Sequence, residues 1–208
     1  MNKKQIKYGI VAEDKANSLF MQHIVPQIMS NFEVILRGVK IAGGVGNVNS
    51  NFINLANKLL DEDETLDLIV VARDQDLAIS MSSQTERTYR FYDDEFKQEL
   101  LSMKKKVIDE GGQNNILIIS IAVQAIEFWM RYIKNPIEEK IENKYNRKEC
   151  KKFIYKDNFK KSEKEESIIK KLLQNVDIKG LKEKSVSFST FVEDLTHLSN
   201  NLSDVPKN

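Results

Sequence analysis

Cysteine is almost missing from this sequence: Cys150 is the only one in 208 residues. One sulfur makes neither an internal disulfide framework nor a cysteine-based zinc centre, since each needs several at defined spacings. A reducing, cytoplasmic setting is the resulting expectation. Long apolar runs are also lacking. No segment approaches the roughly 18 to 20 residues that cross a bilayer, and Tyr8 to Ala12, behind the basic start, is too short for a signal-peptide core. No membrane association is therefore expected. An excess of one charge sign is missing too, with 32 Lys/Arg against 31 Asp/Glu, so bulk charge selects no partner. Three prolines and eight glycines leave long uninterrupted stretches, and hydrophobics at 41% suffice for one globular core.

The charge that is present is unevenly spread. Between Lys140 and Lys171, twelve Lys/Arg face six Asp/Glu, which leaves about −5 on the remainder given +1 overall. Acidic chemistry and basic surface thus occupy different parts of the sequence.

Residues 6–12 (IKYGIVA) read as a short buried strand, and Ala16, Leu19, Phe20, Ile24 and Ile28 recur at helical steps after it. Pro26 marks a kink or the last turns of that helix. An apolar run from Phe32 to Ile41 precedes the glycine-rich GGVGNVNS, and Phe52, Leu55, Ala56 and Leu59 form another helical stripe, with Asn49 or Ser50 as its expected N-cap. Leu66 to Ala72 (LDLIVVA) is the clearest strand, apolar enough to be buried on both faces. Phe96, Leu100, Met103 and Val107 mark a helix ending at Gly111-Gly112. Ile116 to Ile119 reads as a further strand and Ala122 to Tyr132 as a helix. Alternating strands and amphipathic helices predict an α/β fold with a mainly parallel sheet and helices on both faces over residues 1–135. Residues 136–208 read as a lysine-rich helical extension packed on it, with a last helix capped near Ser187 or Ser189 and a frayed tail from Asn200.

Ligands of an open parallel sheet gather at the carboxyl ends of its strands. Glu13 directly follows the first strand, and Asp74 and Asp76 (ARDQD) directly follow the strongest one. Alternate residues of an extended segment point the same way, so Asp74 and Asp76 can offer two carboxylates to one hard cation, Mg²⁺ or Mn²⁺. Glu127 is a fourth candidate: from Ile121 to Met130 only Gln124 and Glu127 are polar, and a carboxylate in such a helix needs a partner. Simpler roles stay open for each. Glu13 suits a helix N-terminus, Asp74 and Asp76 suit a turn, and Glu127 could pair with Arg131 four residues on.

Other features carry less. GGVGNVN lacks the Lys-Ser/Thr of a P-loop and the spacing of a dinucleotide fingerprint, and reads as a loop beside the site. His23 and His197 stand isolated, and Phe128 and Trp129 belong to a continuous apolar helix that reads as core.

Glu after the first strand, followed by Asp-x-Asp after a later one, resembles the Toprim domain of topoisomerases, primases and OLD-family nucleases. GIVAEDKANSLFMQHIVPQIM, the RDQD segment, IAVQAIEFWM and SFSTFVEDL together resemble a family of small bacterial Toprim-only proteins, often encoded beside ATPases and linked to phage defence. The resemblance covers most of the chain in register. It implies a Toprim-like fold, with Glu13 as acid/base or metal-organising carboxylate and Asp74 and Asp76 as Mg²⁺ ligands. Glu127 would be a further acidic contributor. Two departures stand out: Asp14 replaces the usual glycine after the first Glu, and Asn17 stands where OLD-type nucleases often carry a second acid.

These readings lead to a metal-dependent nuclease acting on DNA or RNA, with an ATPase as the expected partner and self-association left open. Lys151, Lys152, Lys160 and Lys161 are candidates for tracking a nucleic-acid backbone, against the plainer reading of a solvated face. The rival functions are a non-catalytic subunit of an ATPase complex and a DxD phosphotransfer enzyme. Since clustered carboxylates repel one another, Asp74→Asn or Asp76→Asn is expected to abolish any metal response while leaving the metal-free protein as stable as before or slightly more so.

Overall fold

The computed structural model describes residues 3–75, 89–110, 117–123, 125–139, 141–156 and 162–203. Four strands, β1 (Gln5–Ala12), β2 (Glu33–Ile41), β3 (Leu68–Asp74) and β4 (Leu117–Ala122), form one sheet in the order β2-β1-β3-β4, and every pairing is parallel. Helices α1 (Lys15–Ile28), α2 (Val45–Glu62) and α3 (Tyr89–Asp109) make the crossovers. After β4 come α4 (Ile126–Lys134), α5 (Ile141–Lys144), α6 (Arg147–Tyr155), α7 (Ser162–Leu172), a 3-10 turn (Leu173–Asn175), α8 (Ile178–Lys184) and α9 (Val186–Ser203). This is the α/β architecture expected, a parallel sheet with helices on both faces and a helical C-terminal region.

The two-residue period of a strand divides the core. Ile10, Val70 and Ala72 face α1, α4 and the C-terminal helices, whereas Val11, Ile69 and Val71 face α2 and α3. The first cluster runs from Ile6 to Leu198, so the C-terminal helices share the interior of the sheet rather than forming a separate core. Among the described residues no helix is long and apolar enough to cross a membrane.

Several boundaries differ from the sequence reading. β4 continues to Ala122, because Ala122 pairs with Asp74 across the sheet, and the next helix begins only at Ile126. α2 begins at Val45, not near Asn49 or Ser50: Gly43 and Gly44 turn the chain at φ 78° and 135°, freeing the following residues to coil at once. α9 begins at Val186, with the Phe188 N–H donating to Ser185 Oγ at 3.4 Å, so the cap lies upstream of Ser187 and Ser189. It runs through Asn200 to Ser203. Pro26 sits in the last turn of α1, as expected. Gly111 and Gly112 lie outside the described residues.

Candidate active site

Glu13 is the first residue beyond β1, and its backbone is tied from two sides. Its N–H donates to the Ala72 carbonyl at 2.9 Å, and its carbonyl accepts from Gly43 at 3.0 Å and Gly44 at 3.2 Å. The glycine loop thus braces the strand end that carries the carboxylate. Across the adjacent strand, Glu13 Oε2 accepts the backbone N–H of Asp74 at 2.9 Å. Both acids stand at the carboxyl edge of the two central strands, where the sequence placed them.

Asp74 ends β3 and is fully buried. Its Oδ1 accepts from the Ile126 N–H at 2.9 Å and from Asn17 Nδ2 at 3.2 Å. A side chain from the sheet therefore satisfies an open N–H at the start of α4. Its Oδ2 accepts from Arg147 Nη2 at 2.8 Å. Asp14 caps α1, its Oδ1 accepting from the Asn17 N–H at 2.9 Å and from Asn17 Nδ2 at 3.2 Å. Both helices start at this edge, so the positive ends of two macrodipoles meet the acidic cluster.

Glu127 lies in the first turn of α4 and is 1% exposed. It points to the same cluster, with Lys151 Nζ at 3.4 Å from Oε1 and Arg147 Nε at 3.9 Å from Oε2. Pairing with Arg131 is overturned: that guanidinium binds Glu138 at 3.2 Å and lies 3.4 Å from the Tyr145 ring centroid and 4.2 Å from that of Phe153. Asp76, Lys160 and Lys161 lie outside the described residues, and Lys152 is exposed on α6. Lys151 is turned to the acids rather than only to solvent.

Four participants have no role in the sequence reading, Asn17, Arg147, Tyr155 and Arg73, while Lys151 figures there only as a candidate for the nucleic-acid backbone. Asn17 is fully buried and bridges Asp14 and Asp74. Arg147 and Lys151 are four apart on α6, and Tyr155, four further on, also lies close enough to feel the charges of Glu127, Asp14 and Asp74. The signal for this helix was legible: Asn146 and Glu149 form a reciprocal capping box, an Asn-x-x-Glu pattern that announces a helix start. Arg73 completes the set. It is buried on the opposite face of β3, donating to Asn49 Oδ1 at 2.7 Å and pairing with Glu99, and so ties β3 to α2 and α3 beneath the site.

Burial pushes the Asp74 carboxyl well above the ordinary carboxylate range, and the neighbouring charge of Glu127 adds to it while Arg147 opposes. Burial likewise raises Glu127, against Lys151 and Arg147. Three donors converge on Asp74, whereas Glu127 Oε2 accepts no hydrogen bond among the described residues. The two carboxyls share one site, so burial raises them together, opposed by the three donors at Asp74 and by Lys151 and Arg147 at Glu127.

Acids raised in the folded state stabilise it when protonated, and that contribution is lost as pH rises through the raised pKa. The metal-free protein should therefore gain stability as pH falls from neutrality toward the ordinary carboxylate range. Glu165, raised by burial and by Asp14, acts in the same direction. His23, lowered by burial and by Lys170, opposes it and calls for a His23→Gln background. Burial favours a higher value for Glu138, but hydrogen bonds from Tyr145, Lys144 and Asn135 outweigh it and hold the group at about 2. Glu138 and Asp63, the latter held at about 2 by hydrogen bonds from Thr65 and Arg37, cost stability only at lower pH. Urea melts with a chelator measure the profile. A flat or falling profile over this window would mean that Arg147 and Lys151 fully neutralise the pair.

Comparison of the chain with protein-family models, with curated proteins and with solved structures gave no match.

Proposed function

We propose that this chain is a Toprim-type nuclease that cleaves phosphodiester bonds with a divalent metal, Mg²⁺ or Mn²⁺. The observation that carries the reading is the junction of Glu13 and Asp74 at the carboxyl edge of adjacent parallel strands, with Glu127 turned to the same point. Residues of this kind and burial fit a hard cation. Every acceptor in the cluster is oxygen, and Asn17 Oδ1 and Glu127 Oε2 are buried without a hydrogen-bond partner among the described residues. Among those residues no three His, Cys, Asp or Glu side chains are already grouped around one position, and Arg147 bridges Asp74 and Glu127 instead.

In this reading Asp74 and Asp76 would hold the cation, with Glu13 either moving a proton or holding a second ion, and the cation would supply charge neutralisation at the phosphate and activation of water. Glu13 keeps the Asp74 backbone in place and, as acid/base, would take up a proton at its carboxylate. Glu127, its carboxyl raised by burial, would be a second proton-holding group. Exposed Lys152, with Lys160 and Lys161, would follow the nucleic-acid backbone without reading sequence. A neighbouring ATPase is the proposed partner, with anti-phage defence as the setting.

The test is cleavage of plasmid, single-stranded DNA and tRNA with Mg²⁺ or Mn²⁺, with and without the neighbouring gene product. Glu13→Gln retains an acceptor for the Asp74 N–H while removing the charge, and should lower cleavage by roughly 10²-fold or more. Equal activity of this variant, or no cleavage in any arm, would end the nuclease reading. The occupation of Asp74 by Arg147 favours a second reading, a non-catalytic subunit whose ion pairs are structural. That reading forecasts no cleavage and no metal-induced change in melting temperature.

A further inference from the structure

We propose that Arg147 and a divalent cation exchange at Asp74, and that the displaced guanidinium, with Lys151 beside it, then contacts the anionic phosphate of the substrate. This rests on the metal-dependent reading above and adds to it the origin of the phosphate contact, the C-terminal helix α6.

The argument begins with the oxygens of Asp74. Oδ1 is engaged by the Ile126 N–H and by Asn17, both fixed by the starts of their helices, whereas the partner of Oδ2 is a long side chain from α6. A cation entering the cluster would therefore compete for Oδ2 with the guanidinium. Glu127 poses the same choice, because its charged neighbours are Arg147 and Lys151. Two like charges cannot share such a site cheaply, so a bound divalent ion drives the guanidinium outward.

Exposure shows where it would go. Asp74 and Glu127 are 0% and 1% exposed at their side chains, while those of Arg147 and Lys151 are 33% and 26% exposed. The cations thus form the outer layer over the carboxylates and meet an approaching anion first. Their helix is held independently of the ion pairs, by the Asn146–Glu149 capping box and by Cys150, Ile154 and Tyr155 buried in the core. Release from Asp74 therefore moves a side chain and leaves the backbone of α6 in place. A guanidinium offers a planar fork of donors that matches phosphate oxygens, and Lys151 adds a point charge.

Wild type, Arg147→Gln and Arg147→Lys provide the test. Mn²⁺ affinity is read from the electron paramagnetic resonance signal of free Mn²⁺. Binding of a fluorescein-labelled single-stranded DNA oligonucleotide is read by anisotropy in Ca²⁺, and circular dichroism verifies the fold. Arg147→Gln should bind Mn²⁺ roughly tenfold more tightly and the oligonucleotide roughly tenfold more weakly, with Arg147→Lys nearer wild type in both. Unchanged Mn²⁺ affinity in a folded Arg147→Gln variant overturns the exchange while leaving the metal reading intact. Unchanged oligonucleotide affinity overturns the phosphate contact, and a shift of both ligands in one direction overturns the proposal as a whole. Absence of Mn²⁺ binding from all three proteins removes the metal reading and this inference together.

Discussion

Asp74→Asn should lower the stability of the metal-free protein by about 1 to 2 kcal/mol, the loss of the charged hydrogen bond to Arg147 outweighing the burial cost relieved at the carboxylate. This reverses the sign expected from sequence, where relief of repulsion among carboxylates was the only visible effect. Asn at this position can still accept from the Ile126 N–H and Asn17 through its carbonyl oxygen. Its amide nitrogen then occupies the place of Oδ2 and directs hydrogens at the Arg147 guanidinium, which loses its 2.8 Å acceptor. The new side chain would be buried, but that of Arg147 is 33% exposed and can turn toward water, so the cost is that of a lost charged hydrogen bond and still exceeds the repulsion relieved at Glu127. Arg147→Gln added to Asp74→Asn should restore part of the loss, since Gln supplies an acceptor. Urea denaturation of wild type, both single variants and the double variant gives the coupling directly. On the proposed metal-dependent reading, the Asp74→Asn variant should also lose any Mn²⁺-induced stabilisation and cleavage, because a proposed oxygen ligand is gone. A metal-free variant as stable as wild type would show that the Arg147 contact contributes little, and an unchanged Mn²⁺ shift would remove Asp74 from the metal site.

Trp129→Ala should cost about 3 to 5 kcal/mol, the range for large aromatic side chains removed from a filled core. Trp129 is fully buried on α4. It meets Phe188 edge-on at 5.1 Å between centroids, Phe20 at 5.7 Å and Phe191 in a stacked arrangement at 6.4 Å. Its Nε1–H donates to Ser187 Oγ at 3.1 Å, so α1, α4 and α9 converge on one side chain. The loss reaches the candidate site through α4, which carries Glu127 in its first turn. Trp129→Phe should cost less, leaving a smaller cavity and removing one donor from Ser187 Oγ, which keeps the Val123 N–H at 3.4 Å and Ser185 Oγ at 3.2 Å. Thermal and urea melts measure both variants, and a cost below about 1 kcal/mol for Trp129→Ala would mean that α9 is not seated on α4 as described.

Much of this was legible along the chain. Short β-branched runs such as LDLIVVA stay apolar because both faces of a central parallel strand are buried, so β1 and β3 announced themselves. The strand-to-acid junctions at Glu13 and Asp74 followed, since a carboxylate directly after a buried strand is placed at the sheet edge by the chain itself. The aromatic character of α4 likewise marked it as core, and the lone acid within it required a partner.

Tertiary structure alone decided which partner. Glu127 and Arg131 are neighbours by helical spacing, yet Glu138, Tyr145 and Phe153 take up the guanidinium of Arg131, and α6 brings Arg147 and Lys151 from further along the chain to Glu127 and Arg147 to Asp74. Local periodicity fixes which face a residue occupies, but not which distant face it meets. The reversed sign for Asp74→Asn has the same origin. The charges of a carboxylate cluster can be counted in a sequence, whereas the counter-cation that neutralises them is delivered by packing between helices, and its identity emerges only when those helices are in place.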